Sequence, residues 1–393
     1  MIAFIVVMLF IFAGEFISSL TKAYVPSVFV SAVLFLLGFW FFLPKNIVTT
    51  ASFGPEFIQV CMALLLVHLG TLMDLKQLVQ QWRAVTIALS GVVGTIVVSM
   101  CIGLLIFNWH TVVASVPPLT GGLVAALLMT QGLKAQGILE LAALPVSMFI
   151  MHSFFGYPIT AWCLKKEAKR LVHKFRTEDI KLDPFKKMSI AEVSSGIEER
   201  TLIPGIPEKY RTPSIILLKV AAIAVVSIWL SQLTKGEVNQ YVICLILGVI
   251  GRRLGLLERN ALNQAGVFNW LIYGLLAYVF SQLSVVKPDQ LVSIIVPIVT
   301  LIILGIIGMF LASMLLAKPL KMSRPMAFAC ALTALFGFPA DYIITMEICK
   351  NNSETDDENE YLIENMLPKM LVGGFATVSI ASVVLSTIFL KLL

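Results

Sequence analysis

Apolar residues run through this chain in long blocks that leave no polar face. Residues 2–12, 84–107 and 291–317 are apolar around the whole circumference of a helix. A helix without a polar side is buried or membrane-spanning, and a span takes about 20 such residues. Twelve blocks can be drawn. The first six cover residues 1–22, 24–43, 53–73, 84–107, 116–137 and 138–164. The other six cover 213–233, 238–250, 268–283, 291–317, 325–348 and 366–393.

Composition removes the soluble alternative. Of 393 residues, 58% are hydrophobic and 13% charged, against about 25% charged in a soluble chain. No soluble fold of this length has the interior to hide so much apolar surface, so lipid must be the solvent. The chain opens directly on an apolar run with no basic region before it, which reads as a retained first helix rather than a signal peptide. The six cysteines are scattered, mostly within apolar runs and with no CxxC pair, which reads as inert buried thiols. The net charge of +6 reads as lysine and arginine at membrane edges, with no nucleic-acid partner.

One stretch departs from the pattern. Residues 165–212 hold twelve Lys/Arg, eight Asp/Glu, and Pro184, Pro204 and Pro207. That is a water-exposed linker with an amphipathic helix over 165–175, and its basic excess places it in the cytoplasm. Three parts follow: a first transmembrane repeat at 1–164, the linker at 165–212, and a second, inverted repeat at 213–393. In each half the fifth block is the odd one. VPPLTGGLVAALLMTQGLKAQG (116–137) and PMAFACALTALFGFPADYIITMEICK (325–350) both mix proline, glycine and polar residues. Proline and glycine break helices, while Gln131, Lys134, Gln136, Asp341 and Glu347 are costly in hydrocarbon. Such backbone survives at membrane depth only inside protein or beside a watery cavity.

The basic residues choose between topologies. If each fifth block is a re-entrant hairpin, each half crosses five times and the halves are inverted. With the linker inside, Lys22, Lys76, Arg83, Arg252, Arg253, Arg259, Lys318, Lys321, Arg324 and Lys350 lie inside. Only Lys45, Lys235, Lys287 and Lys391 then lie outside, whereas twelve straight crossings divide the loop charges evenly. The ten-to-four bias favours an all-α polytopic membrane protein of two inverted repeats, each with five transmembrane helices and one re-entrant hairpin. Hairpins entering from opposite faces bring a polar site to the midplane, as in a secondary transporter working by alternating access.

These residues also carry a family likeness. Val25-Pro26 opens the second span, and PEFIQVCMALLLVHLGTLMDLKQL fills 55–78. A proline-opened, glycine-containing hairpin covers 118–137, followed later by YVICLILGVI (241–250), FGFP (336–339) and MLPKMLVGGF (366–375). With these features the chain resembles the sodium:glutamate symporter family over nearly its whole length outside the linker. The resemblance implies two inverted five-helix repeats, re-entrant loops, and sodium-coupled uptake of a small anionic solute. The family's hairpin tips have several near-adjacent glycines, and the tips expected here, 130–134 and 335–339, have fewer.

Candidate site residues lie on the hairpins. On the first, the Lys134 ammonium can pair with a substrate carboxylate, replace a coupling cation, or snorkel to water at the external interface. Thr130, Gln131 and Gln136 can hydrogen-bond substrate or their own broken backbone, and Gly132 shapes the turn. On the second, Gly337 and Pro339 shape the turn, and Phe338 between them is counted with the substrate and ion site. Asp341, with Tyr342 and Thr345, offers a carboxylate and hydroxyls for a hard cation or a proton. Asp341 can also pair with Lys134 or cap a helix. Glu347 can serve the site or simply reach the cytoplasmic surface. Away from the hairpins, His68 is expected to bridge helices and Asp74 to cap one.

No enzyme signature is present: no HExxH, no Walker loop, no GxSxG with partners, and no metal-spaced His/Cys cluster. The reading is therefore a non-enzymatic, multi-pass carrier of the cell (inner or plasma) membrane. It has no cofactor beyond a coupling Na+ or H+, its partners are a small solute, that cation and lipid, and a homodimer is left open. The other readings are an ion channel, which needs a continuous polar stripe along several helices, a proton-coupled carrier of a different solute, and a non-transporting scaffold or intramembrane enzyme.

Overall fold

A computed structural model describes residues 1–72, 81–121, 123–141, 144–178, 211–233, 240–285 and 288–393; Asp74 and most of the linker lie outside them. Among the described residues the regular structure is helical, with no strand. The first half runs α1 (Ile2–Leu20), α2 (Ser27–Phe41), the single turn α3 (Ile47–Thr50), α4 (Pro55–Leu72), α5 (Trp82–Ile106), α6 (Trp109–Leu119), α7 (Leu123–Ala135) and α8 (Leu144–Thr177). The second half follows the same order. It runs α9 (Pro213–Leu233), α10 (Gln240–Leu254), the single turn α11 (Ala261–Gln264), α12 (Phe268–Ser281), α13 (Pro288–Ala317), α14 (Arg324–Leu332) and α15 (Ala340–Asn352). It closes on α16 (Asp356–Phe375), a π-helical segment (Ala376–Ala381) and α17 (Ser382–Leu390).

Ile2–Leu20, Trp82–Ile106, Pro213–Leu233 and Ile294–Ala317 are long and apolar enough to cross a bilayer. The 25 residues of α5 reach about 37 Å against a hydrocarbon core of about 30 Å. Val93, Val97 and Leu105 on α5, and Ile303, Ile307 and Leu311 on α13, are exposed. Side chains like these stay dry only in lipid, so the fold is that of a helical membrane protein.

The helices pack into two compact units. One comprises Met1–Val7, Asn46–Gln80 and Leu182–Val279. There α4 and α10 cross so closely that a methyl on Gly70 or Gly248 would strike the backbone of the opposite helix. His68, fully buried on α4, accepts the backbone N–H of Leu262 on its Nδ1 at 3.1 Å. That is the expected interhelical bond, and it fixes the ring proton on Nε2.

The other unit comprises Met8–Lys45, Gln81–Lys181 and Phe280–Leu393. Its centre is the crossing of α5 and α13, where Gly94 and Gly308 leave no room for a Cβ on either helix. The Thr95 hydroxyl donates to the Gly305 carbonyl at 3.1 Å across the same seam. Between helices already in oil, close backbone approach and such bonds replace the hydrophobic effect as the source of association.

Two helices run further than their apolar blocks. The expected helix over 165–175 is the continuation of α8, whose 34 residues extend about 51 Å because nothing after Pro158 breaks them. The last helix begins at Asp356, ten residues before its apolar run. The Thr355 hydroxyl accepts the Glu358 N–H at 3.2 Å, and three acidic residues favour that helix end.

Candidate functional site

Both fifth blocks are broken helical pairs, and the two breaks have different chemistry. In the first, α6 ends on Pro117-Pro118-Leu119, and the chain turns through Thr120 and Gly121. Gly121 has φ +78°, a conformation that costs a residue with a Cβ about 1–2 kcal/mol. In the second, Ser323 caps α14 by accepting the Met326 N–H, and Pro325 occupies its first turn. The helix tightens over Thr333–Leu335 and stops, Gly337 takes φ +61°, and a cis Phe338–Pro339 bond leads into α15.

The two turns touch. A methyl on Gly121 would collide with the Ala334 carbonyl of the other hairpin, and it would stand 2.9 Å from the Val378 side chain. A methyl on Gly337 would stand 2.7 Å from the same Val378 side chain. Val378 belongs to the π-helical segment of the last helix, a local widening that recurs at functional sites. Both hairpin turns and this bulge therefore share one point in the interior.

Asp341 lies beside that point. It is completely buried in the first turn of α15. One oxygen, Oδ1, accepts the Tyr342 N–H at 2.7 Å; the other, Oδ2, has no hydrogen-bond partner among the described residues. A methyl on Gly374 of α16 would strike Oδ2, so only glycine leaves this oxygen its space. The Thr345 hydroxyl donates to the Asp341 carbonyl at 2.6 Å rather than to its carboxylate. Among the described residues no three His, Cys, Asp or Glu converge. A cation at Asp341 would accordingly take its remaining ligands from carbonyls and hydroxyls.

Helix α8 lines the second hairpin. The Ser153 hydroxyl donates to the Leu335 carbonyl at 3.1 Å, Gly156 lies against Leu335 and Phe336, and the Tyr157 ring stands 5.3 Å from that of Phe336. His152 is fully buried and donates from Nδ1 to the Met148 carbonyl at 2.8 Å. Thr160, further along the same helix, buries an unpartnered hydroxyl.

Of the second-hairpin candidates, Gly337, Pro339, Asp341 and Thr345 are buried at or near the turn. Phe338 stacks on Phe375 at 6.1 Å, and Tyr342 is half-buried. The first-hairpin candidates are a correction. The turn expected at 130–134 lies instead at Thr120 and Gly121, and Thr130, Gln131, Gly132 and Lys134 belong to helix α7. Lys134 is eleven residues beyond the start of α7, about 16 Å along the axis. Gln131, Lys134 and Gln136 are exposed, Thr130 is half-buried, and Gly132 packs on Leu390. The salt bridge from Lys134 to Asp341 does not form, since one end is exposed and the other sealed in.

Glu347 is explained by packing. Its Oε2 accepts the Ser27 backbone N–H and the Ser18 hydroxyl, each at 3.1 Å, and so caps the start of α2. Sequence reasoning passed over Thr120, Gly121, His152, Gly374 and Val378. Only the run Pro-Pro-Leu-Thr-Gly-Gly carried a readable signal, as a dense cluster of helix breakers. Compared with known proteins, the chain matches no family model and no curated sequence.

Proposed function

We propose that the chain is a secondary active transporter that couples sodium entry to uptake of a small anionic solute, such as glutamate or a related carboxylate. The observation that carries this reading is the meeting of two broken hairpins beside a buried carboxylate with an open oxygen. A static scaffold gains nothing from an unpartnered carboxylate in its interior, whereas a carrier needs a place for a cation to arrive and leave. Asp341 is the residue for that cation. With Lys134 at the far end of α7, the solute's carboxylate falls to backbone N–H groups at the hairpin turns and helix starts.

The halves are taken as inverted repeats of five crossings and one re-entrant hairpin. Their shared element order and the ten-to-four distribution of loop charge support this. The likeness to sodium:glutamate symporters points the same way. Purified protein in proteoliposomes, offered labelled anions and amino acids under an imposed sodium or proton gradient, should accumulate at least one of them with sodium. Accumulation with protons alone would transfer the coupling to H+. No gradient-driven accumulation of any solute would overturn the proposal.

A further inference from the structure

We propose that the turn between α1 and α2, together with the adjoining stretch of α8, forms a binding site for the headgroup of an anionic phospholipid. The site centres on Lys165, which is 9% exposed. Its Nζ donates to the Lys22 carbonyl at 3.0 Å and sits 3.0 Å from the centroid of the Tyr24 ring. The turn it holds is unusual. Lys22 and Ala23 both take left-handed backbone, at φ 50° and 54°, with neither a glycine. Two such residues in succession are costly and persist only where the surroundings impose them.

A second row of charge continues along α8. Lys166 places its Nζ 3.6 Å from the Trp162 ring, and Lys169 lies one turn further on. Trp162, Lys166 and Lys169 are spaced i, i+4 and i+7 and so share a face; all three are exposed. Burial, then the charges of Lys169 and Lys22, push Lys165 below the ordinary lysine value. Among the described residues no carboxylate pairs with Lys22, Lys165, Lys166 or Lys169. The neighbouring Glu167 is buried and already taken by Arg170 and by the Ser323 hydroxyl, each at 2.6 Å. Lys22, Lys165 and Lys169 thus lie within reach of one another, with Lys166 on the adjoining face, and no carboxylate among the described residues pairs with them.

The surroundings identify the anion as a lipid rather than a soluble phosphate. Tyr24 and Trp162 are 64% and 56% exposed, as in the aromatic belts that mark headgroup level. Leu20, at 68% exposure, continues the surface into apolar ground where acyl chains would lie. Lysines serving only to orient the chain need neither a buried member nor a strained turn. The turn holds Lys165 in place beside Lys22, and an anionic phosphate would answer the charge so fixed.

The test uses the full chain in detergent, stripped of lipid. Phosphatidylglycerol should raise its melting temperature and be retained in native mass spectra, while phosphatidylcholine and inorganic phosphate at equal concentration should not. Lys166→Gln/Lys169→Gln, at exposed positions, should fold normally and weaken phosphatidylglycerol binding by about 30-fold. Lys165→Met should weaken it further, and Lys318→Gln/Lys350→Gln, lysines elsewhere, should bind as the parent does. Equal binding by the parent and the 166/169 variant would overturn the site, as would equal effects of the charged and neutral lipids. Stabilisation by inorganic phosphate to the same extent would replace the lipid with a soluble anion and also refute the proposal.

Discussion

Asp341 buries a carboxyl whose Oδ2 no described neighbour answers, and that gives its amide variant a distinctive pair of effects. An amide of the same shape carries no cost of burying a charge, so Asp341→Asn should leave thermal stability unchanged or raised. The same change deletes the carboxyl that the proposed mechanism assigns to the cation, so gradient-driven uptake should fall by at least about tenfold. A residue kept merely for packing would show the opposite pattern, with lost stability and retained uptake. Gly121 answers to a different force. Its positive φ and its collision course with Ala334 mean that Gly121→Ala should cost about 2 kcal/mol or more, read as a lower melting temperature in detergent. If the alanine variant melts with the parent, the two turns are not in contact.

At the level of whole helices, the last one starts early because its first turn is clasped. Arg176, near the end of α8, forms paired bonds to Glu358 at 2.6 and 3.1 Å, and Glu358 also accepts the Glu354 N–H at 2.8 Å. The Arg176 bonds, first among several, hold the Glu358 carboxyl below its ordinary value. A carboxylate lowered on folding stabilises fully above the ordinary glutamate range and loses that contribution as pH falls through its lowered pKa. Acidification below about pH 4 should therefore loosen the start of α16 in the parent, and Glu358→Gln should lower the melting temperature at neutral pH while flattening its acid limb. An unchanged acid limb would show that the clasp contributes nothing. Helix limits and helix breaks were unequally legible in the sequence. The span 213–233 could be drawn as it stands in α9, since nothing but apolarity decides it. The first hairpin was misplaced by about ten residues because polar cost drew attention to Gln131 and Lys134. The backbone obeys Pro117, Pro118 and Gly121 instead, and Gln131 and Lys134 are carried exposed on an intact helix. No local signal marked the π-helical segment around Val378, which depends on packing against both turns.

For the molecule as a whole, the proposed transport requires the two hairpins to open toward opposite faces of the membrane. Their outer ends are accessible handles: Gln136, just beyond α7, and Lys350, near the end of α15, are both exposed. Of the six cysteines only Cys101 is exposed, so a Cys101→Ser background is nearly silent to thiol reagents. In that background an impermeant maleimide should label Gln136→Cys in right-side-out vesicles and Lys350→Cys only in inverted ones. The argument is geometric. An even number of passes between the two hairpins would put both ends on one face, and the lysine and arginine bias would then have no source in topology. Equal labelling of both cysteines from the same face would leave the hairpins as a packed but one-sided core. A solute bound at their junction could then be reached from that face alone, and alternating access would have no second door.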